Sequence, residues 1–139
     1  MIGGADVFLD TNILLYAALG RDHAQDRFDV ARQIVLEQDY CTSAQVLAEF
    51  YVNVRKKGVR PLTDDMAAEW VRVIAKKPCQ PIDIKLVRVA IDLSHRYSIS
   101  YWDAAILAAA ERLGAATVYS EDLNHGQAYG PVTVINPFI

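Results

Sequence analysis

The sequence predicts an α/β fold: a small parallel sheet of four to five strands flanked by α-helices on both faces. Three observations point there. Short apolar runs recur along the chain: "VFLD" at 7–10, "YCTS" at 40–43, "ATVYS" at 116–120 and "VTVI" at 132–135. Between most of them lie longer stretches whose apolar residues return every three or four positions, the helical period. Strands joined through helices pair in parallel and place those helices over the sheet. Third, 53% of the 139 residues are hydrophobic, enough for one core. No repeat, low-complexity tract or linker interrupts residues 1–139, so a single domain is expected.

Taken in order, "VFLD" is a buried strand whose end runs straight into the helix "TNILLYAAL". A second helix covers about 23–38, with Phe28, Ala31, Ile34 and Val35 at helical spacing. Ser43 closes "YCTS" and is placed to cap "AQVLAEFYVNVRKKG", because its hydroxyl can accept an orphan amide of the first turn. Leu47, Phe50, Tyr51 and Val54 form that helix's apolar stripe, Arg55, Lys56 and Lys57 its last turn, and Gly58 its stop. Thr63 caps a helix over about 64–77, ended by Pro78. "QPIDI" is extended, Asp83 is a cap, and a helix runs from about Lys85 to Tyr97. "SYWDAAILAAA" opens the next helix, with Ser100 as cap and Gly114 as stop.

Composition excludes several classes. No apolar run is long enough to span a bilayer, and the N-terminus lacks a basic segment followed by a long apolar stretch. A cytoplasmic protein without membrane association is therefore expected. Cys41 and Cys79 have no metal or redox spacing and are expected to be reduced thiols. A net charge of −3 argues against a broad nucleic-acid-coating surface but leaves room for a local basic patch.

The acids carry more information. Asp10 ends the first strand, where open parallel sheets place ligands, and it also suits a helix cap. Glu49 is flanked by Gln45 and Asn53 at four-residue spacing, a polar seam on an otherwise apolar helix. Ser100 to Asp103 has the spacing of a capping box. Glu121 and Asp122 follow the strand "ATVYS", where a polar turn would also explain them. Each acid has an ordinary structural explanation by itself. Brought together in a small sheet, they would repel: a pair at ~4 Å costs roughly 4 kcal/mol at an effective dielectric near ~20. Protons or a cation must relieve that. Oxygen donors suit Mg²⁺ or Mn²⁺, and the absence of a His/Cys set argues against zinc.

The stretches "VFLDTNILLYA", "SAQVLAEFYVNVRKKG", "YSISYWDAAILAAAERLGA" and "VYSEDLNHGQAYGPVTVINPF" together resemble PIN-domain proteins, most closely VapC-like toxins of type II toxin–antitoxin systems. The resemblance implies a PIN-like fold and a Mg²⁺- or Mn²⁺-dependent endoribonuclease that leaves 5′-phosphate and 3′-hydroxyl ends. It also implies a homodimer silenced by a cognate VapB-like antitoxin. It places the acidic site on Asp10, Glu49, Asp103 and Asp122. Asp10 and Asp103 would be direct metal ligands. Glu49 and Asp122 would complete the shell, hold metal-bound water or support a second ion. Asn12 and Ser120 would support the site.

RNA must also be held. Arg55, Lys56, Lys57 and Arg60 are the densest basic cluster, readable as a phosphate track or as a helix end matched to its dipole. Tyr16, Tyr101 and Trp102 suit base stacking but also core packing. The alternatives to a toxin are a PIN nuclease of RNA processing and a non-catalytic interaction module.

Overall fold

The computed structural model describes residues 5–139. Among them, six strands and six α-helices alternate: β1 (Val7–Leu9), α1 (Thr11–Leu19), α2 (Gln25–Glu37), β2 (Tyr40–Ser43), α3 (Ala44–Val54), α4 (Asp64–Ile74), β3 (Cys79–Gln80), α5 (Ile84–Tyr97), α6 (Tyr101–Leu113), β4 (Thr117–Tyr119), β5 (Ala128–Tyr129) and β6 (Val132–Ile135). A short 3-10 helix, Gly20–Asp22, joins α1 to α2. The strands form one sheet in the order β3-β2-β1-β4-β6-β5. All neighbours are parallel except β5, which returns antiparallel along β6.

Strand order decides where the helices lie. From β1 to β2 and from β2 to β3 the chain steps in one direction across the sheet. From β3 it jumps back past β1 to β4. Right-handed crossovers in opposite directions put their helices on opposite faces, so α1 to α4 cover one face and α5 and α6 the other. The packing agrees: α1 contacts α2 and α3, and α3 contacts α4. On the other side α6 lies on β2, β3, β4 and β6 with α5 behind it. The reversal falls between β1 and β4. Their carboxyl ends are therefore the switch point at which such sheets open a crevice.

Central strands in a sheet covered on both faces must be apolar on both sides. Val7, Phe8 and Leu9 are all buried, as are Tyr40 and Cys41. Seven consecutive residues of α6, Ala104 to Ala110, are buried, because the helix lies between the sheet and α5. Its five alanines bring the helix backbone close to the strands. Ser43, Thr63, Asp83 and Ser100 each accept an amide hydrogen bond of the helix that follows, as the sequence predicts.

Several boundaries differ from expectation. The sheet has six strands because β3 and β5 are two-residue ladders, too short to show a period of two. Helix α3 stops at Val54, so Arg55, Lys56 and Lys57 lie beyond it and not in its last turn. The amides of Lys56 and Lys57 both donate to Asn53 O, and Arg55 Nε turns back to Tyr51 O at 3.2 Å. Helix α4 likewise ends at Ile74, where Lys76 and Lys77 close i→i+3 bonds. The stripe of α3 is centred on Val46, Phe50 and Val54, with Leu47 and Tyr51 half-buried at its border.

Helices α5 and α6 both end in a left-handed residue. In α6 it is Gly114, with φ 76°; in α5 it is Ser98, with φ 52°. A side chain is disfavoured in that region and glycine is not. Ser98→Gly is expected to stabilise the protein by about 1 kcal/mol, raising the thermal midpoint by a few degrees in a calorimetric comparison with wild type.

Candidate functional site

The acid-lined edge begins at Asp10. Its amide donates to Tyr119 O at 3.1 Å, which extends the β1–β4 pairing by one residue. Its carboxylate is 6% exposed. Oδ1 accepts from the Thr11 amide at 2.7 Å and Oδ2 from Ser120 Oγ at 2.7 Å. Asp10 is thus the cap of α1 and also the buried acid at the switch point. Burial, followed by the charges of Asp122 and Glu49, outweighs its two hydrogen bonds and raises its pKa from 3.8 to about 6.

The other three acids arrive from separate elements. Glu49 stands on α3 with Oε1 accepting from Thr11 Oγ1 at 3.3 Å and from Gln45 Nε2 at 3.4 Å. The same Gln45 amide reaches the Trp102 carbonyl at 3.3 Å, tying α3 to the start of α6. Asp103 sits in the first turn of α6, half-buried; burial, with the charge of Asp122, outweighs a side-chain hydrogen bond from Ser100 and raises its pKa. Its amide donates to Ser100 Oγ at 3.1 Å. The return bond of a capping box, from the Ser100 amide to the Asp103 carboxylate, does not form among the described residues; the carboxylate interacts with the Ser100 side chain instead. Asp122 is exposed beyond β4. Ser120 Oγ accepts its amide at 3.1 Å, and Asn12 Nδ2 donates to its Oδ2 at 3.1 Å. Ser120 therefore touches two of the acids at once.

Glu121 goes elsewhere. Tyr16 donates to its Oε1 at 2.7 Å and Arg27 Nε pairs with its Oε2 at 3.3 Å. Arg27 also lies 5.7 Å from the ring centres of both Tyr16 and Phe138. This neutralised cluster holds Glu121 and leaves Asp122 as the acid beside Asn12. Sequence spacing could not reveal it, because Arg27 lies in the first turn of an unremarkable helix and approaches only through the packing of α2 on α1.

The remaining candidates separate. Arg55 is engaged by Asp64 at 3.0 Å and lies 4.4 Å from the Tyr51 ring centre. Lys56 is exposed, and Lys57 lines a cleft of about 410 Å³ beside Asn12, Glu49 and Asp122. Tyr16 is packed edge-on against Phe138. Trp102, which suits base stacking and core packing alike by sequence, is 63% exposed. It precedes Asp103 on the first turn of a helix whose next seven residues are buried, so the ring is turned out at the sheet edge. His125 is structural, its Nδ1 accepting the Asn136 amide at 3.0 Å.

The donor set fits a hydrated divalent ion. Among the described residues, no three Asp, Glu, His or Cys side chains already close around one point as a cage. Mg²⁺ does not need one, since it is held by one or two carboxylates and keeps several waters. Two observations favour a cation here. Asp10 is a buried carboxylate whose neighbours are acids rather than bases. Asn12 Oδ1 is buried without a hydrogen-bond partner among the described residues, an unused oxygen donor beside Asp122.

Fold and site together define an α/β protein with a two-faced parallel sheet and acids gathered where its strand order reverses. A family model described as PIN domain matches residues 7–130; the chain belongs to the PIN-domain family. Solved structures share the fold. VapC20 of Mycobacterium tuberculosis, described as a sarcin–ricin loop cleaving toxin, aligns at 20% identity over 84% of this chain and 89% of its own, with a TM-score of 0.67. A toxin–antitoxin complex from Klebsiella pneumoniae aligns at 16% identity over 94% and 97%, with a TM-score of 0.69. FitAcB from Neisseria gonorrhoeae aligns at 20% identity over 95% and 98%, with a TM-score of 0.65. No curated protein matches the chain in sequence. Among the described residues, no helix is long and apolar enough to cross a membrane.

The Asp10 shift has a sign that can be measured. Its pKa is higher in the folded protein (about 6) than its ordinary value of 3.8, so between those pH values the folded state binds more protons. Stability from this group then falls as pH rises from 4 to 6, and the gap corresponds to about 3 kcal/mol at most. In chelator, Asp10→Asn is expected to gain stability relative to wild type by about 2 kcal/mol between pH 4.5 and pH 7. Urea unfolding at both pH values checks it.

Proposed function

We propose that this chain is a metal-dependent endoribonuclease and the toxin of a type II toxin–antitoxin pair. The observation that carries the nuclease reading is the convergence of Asp10, Glu49, Asp103 and Asp122 from four separate elements on the switch point. Asp10 is buried there and surrounded by other acids. An interaction module has no use for so unfavourable a placement. The toxin reading is supported by the solved structures that share the fold, which include a sarcin–ricin loop cleaving toxin and toxin–antitoxin complexes. The partner is then a VapB-like antitoxin, and the working assembly a homodimer.

In this reading Asp10 and Asp103 hold Mg²⁺ or Mn²⁺, with Asp122 and Glu49 acting directly or through water. When bound, such an ion neutralises a non-bridging phosphate oxygen and acidifies water for attack on phosphorus. The chain's own residues do the rest. Thr11 and Ser120 fix both oxygens of Asp10, so its carboxylate cannot rotate away. Ser120 also holds the Asp122 backbone, which keeps the two acids in register. Thr11 and Gln45 both bind Glu49 Oε1, leaving Oε2 to hold a water and take its proton. The route is hydrolytic and requires no attack by a 2′-hydroxyl.

Asp10→Asn and Asp103→Asn are each expected to lower Mg²⁺-dependent cleavage of RNA by on the order of 100-fold or more, with Glu49→Gln and Asp122→Asn losing about 10-fold or more. Unchanged cleavage by folded Asp10→Asn and Asp103→Asn, folding being checked by circular dichroism, would reject the site. Co-expression with the gene beside it tests the toxin role: growth arrest that no small neighbouring protein relieves would leave a nuclease of RNA processing.

A further inference from the structure

The cleft beside the acids has two unlike ends. At one are Glu49 and Asp122; at the other are His23 and Lys57, with Leu15, Leu19 and Tyr16 between them on α1. His23 follows the 3-10 helix and Lys57 follows α3, and the two segments are fastened together. Arg60 pairs with Asp22 at 3.7 Å. Gly58, with φ 81°, lies against the same segment, where an added Cβ would come into ordinary contact with Leu19 at 3.4 Å and His23 Cε1 at 3.7 Å. This end is therefore built rather than left as loose loop.

Charge distribution marks Lys57 out. Around the cleft, Arg27 is paired with Glu121, Arg55 with Asp64 and Arg60 with Asp22. Lys57 has no carboxylate partner among the described residues. It is a solvated cation at the mouth of a cleft whose other end is acidic. A nucleotide has that polarity in reverse once a cation covers the acids: a phosphate at each end and an apolar-faced base between. A cleft of about 410 Å³ has room for one nucleotide.

We infer that this cleft seats one unpaired nucleotide of the RNA next to the scissile phosphate. Lys57 and His23 bind the phosphate on its far side, and Leu15, Leu19 and Tyr16 support the base. The inference rests on the nuclease reading, since the acid end takes a phosphate only with a cation in place. It adds that the chain grips single-stranded RNA through named residues away from the acids. Lys57 and His23 bind substrate and take no part in proton transfer.

Two measurements test it, with Lys76→Gln as control because Lys76 is exposed between α4 and β3, at the amino edge of the sheet and outside the cleft. In cleavage of a single-stranded RNA, Lys57→Gln and His23→Gln are expected to raise KM roughly 10-fold with little change in kcat, and Lys57→Gln to make the salt dependence of kcat/KM shallower by about 0.7 in the log–log slope. Lys76→Gln is expected to do neither. In NMR titration with adenosine 3′,5′-bisphosphate and Mg²⁺, shifts are expected at Leu19, His23, Asn53 and Gly58. These substitutions are at exposed positions, so loss of folding does not confuse the result. Equal behaviour of the Lys76, Lys57 and His23 variants, or no bisphosphate shifts at those four residues, overturns the inference. Absent cleavage by wild type would defeat the nuclease reading instead, and the bisphosphate titration would still decide the cleft.

Discussion

A carboxylate buried between two parallel strands is the constraint on which this structure turns. Asp10 is bonded through its amide to β4, through Oδ2 to the first residue after β4 and through Oδ1 to the first amide of α1. It thereby fixes the separation of the two strand ends at the switch point and the direction in which α1 leaves. The cost is a charge withdrawn from water and placed near other acids. Two good hydrogen bonds do not cancel that cost, as the upward displacement of its pKa shows. The fold tolerates the arrangement because its surroundings are otherwise satisfied: β1 is fully buried, Thr42 Oγ1 braces Leu9 O at 3.2 Å, and Ser120 is buried beneath both acids.

Other parts of the chain serve this junction at a distance. The polar seam of α3 reaches it from one side, where Gln45 touches both Glu49 and the carbonyl preceding Asp103. One glutamine side chain therefore sets the spacing between two elements that carry acids. The cluster of Tyr16, Arg27, Phe138 and Glu121 reaches it from the other side. Asn136 assists by accepting the Phe138 amide at 2.9 Å while its own amide binds His125. The C-terminal residues thus pack against α1 and α2, and the turn after β4 is held at both ends.

Much of this was legible in the sequence because it depends on local chemistry. Helix caps at Ser43, Thr63, Asp83 and Ser100 follow from side chains that can accept an amide three residues on, and the central strands follow from runs apolar on both faces. The acids at strand ends were visible because the carboxyl edge of a parallel sheet is fixed by topology. What stayed hidden depends on long-range approach. The β3 and β5 ladders are too short to carry a pattern. Arg27 and His23 have no neighbours in sequence that mark them, and gain their meaning only when α2 and the loop after α3 fold against α1. Trp102 stayed open for a related reason: its helix is buried along seven residues, yet in its first turn Trp102 is exposed.

The double role of Asp10 and Asp103 also has a physical basis. Both are at helix starts, and a helix start favours negative charge through its unpaired amides and its dipole. That preference is independent of what the acid does next. For Asp10 only Oδ1 is used by the helix, while Oδ2 is held by Ser120. For Asp103 the helix is capped by Ser100, and the carboxylate contributes charge without a bond to the cap amide. A helix N-terminus therefore offsets part of the expense of gathering acids, and the Asp103 carboxylate engages the Ser100 side chain rather than the cap amide. Placing two of the four acids at helix starts lets a chain of this size hold a concentration of like charge that mid-strand or mid-helix positions would resist.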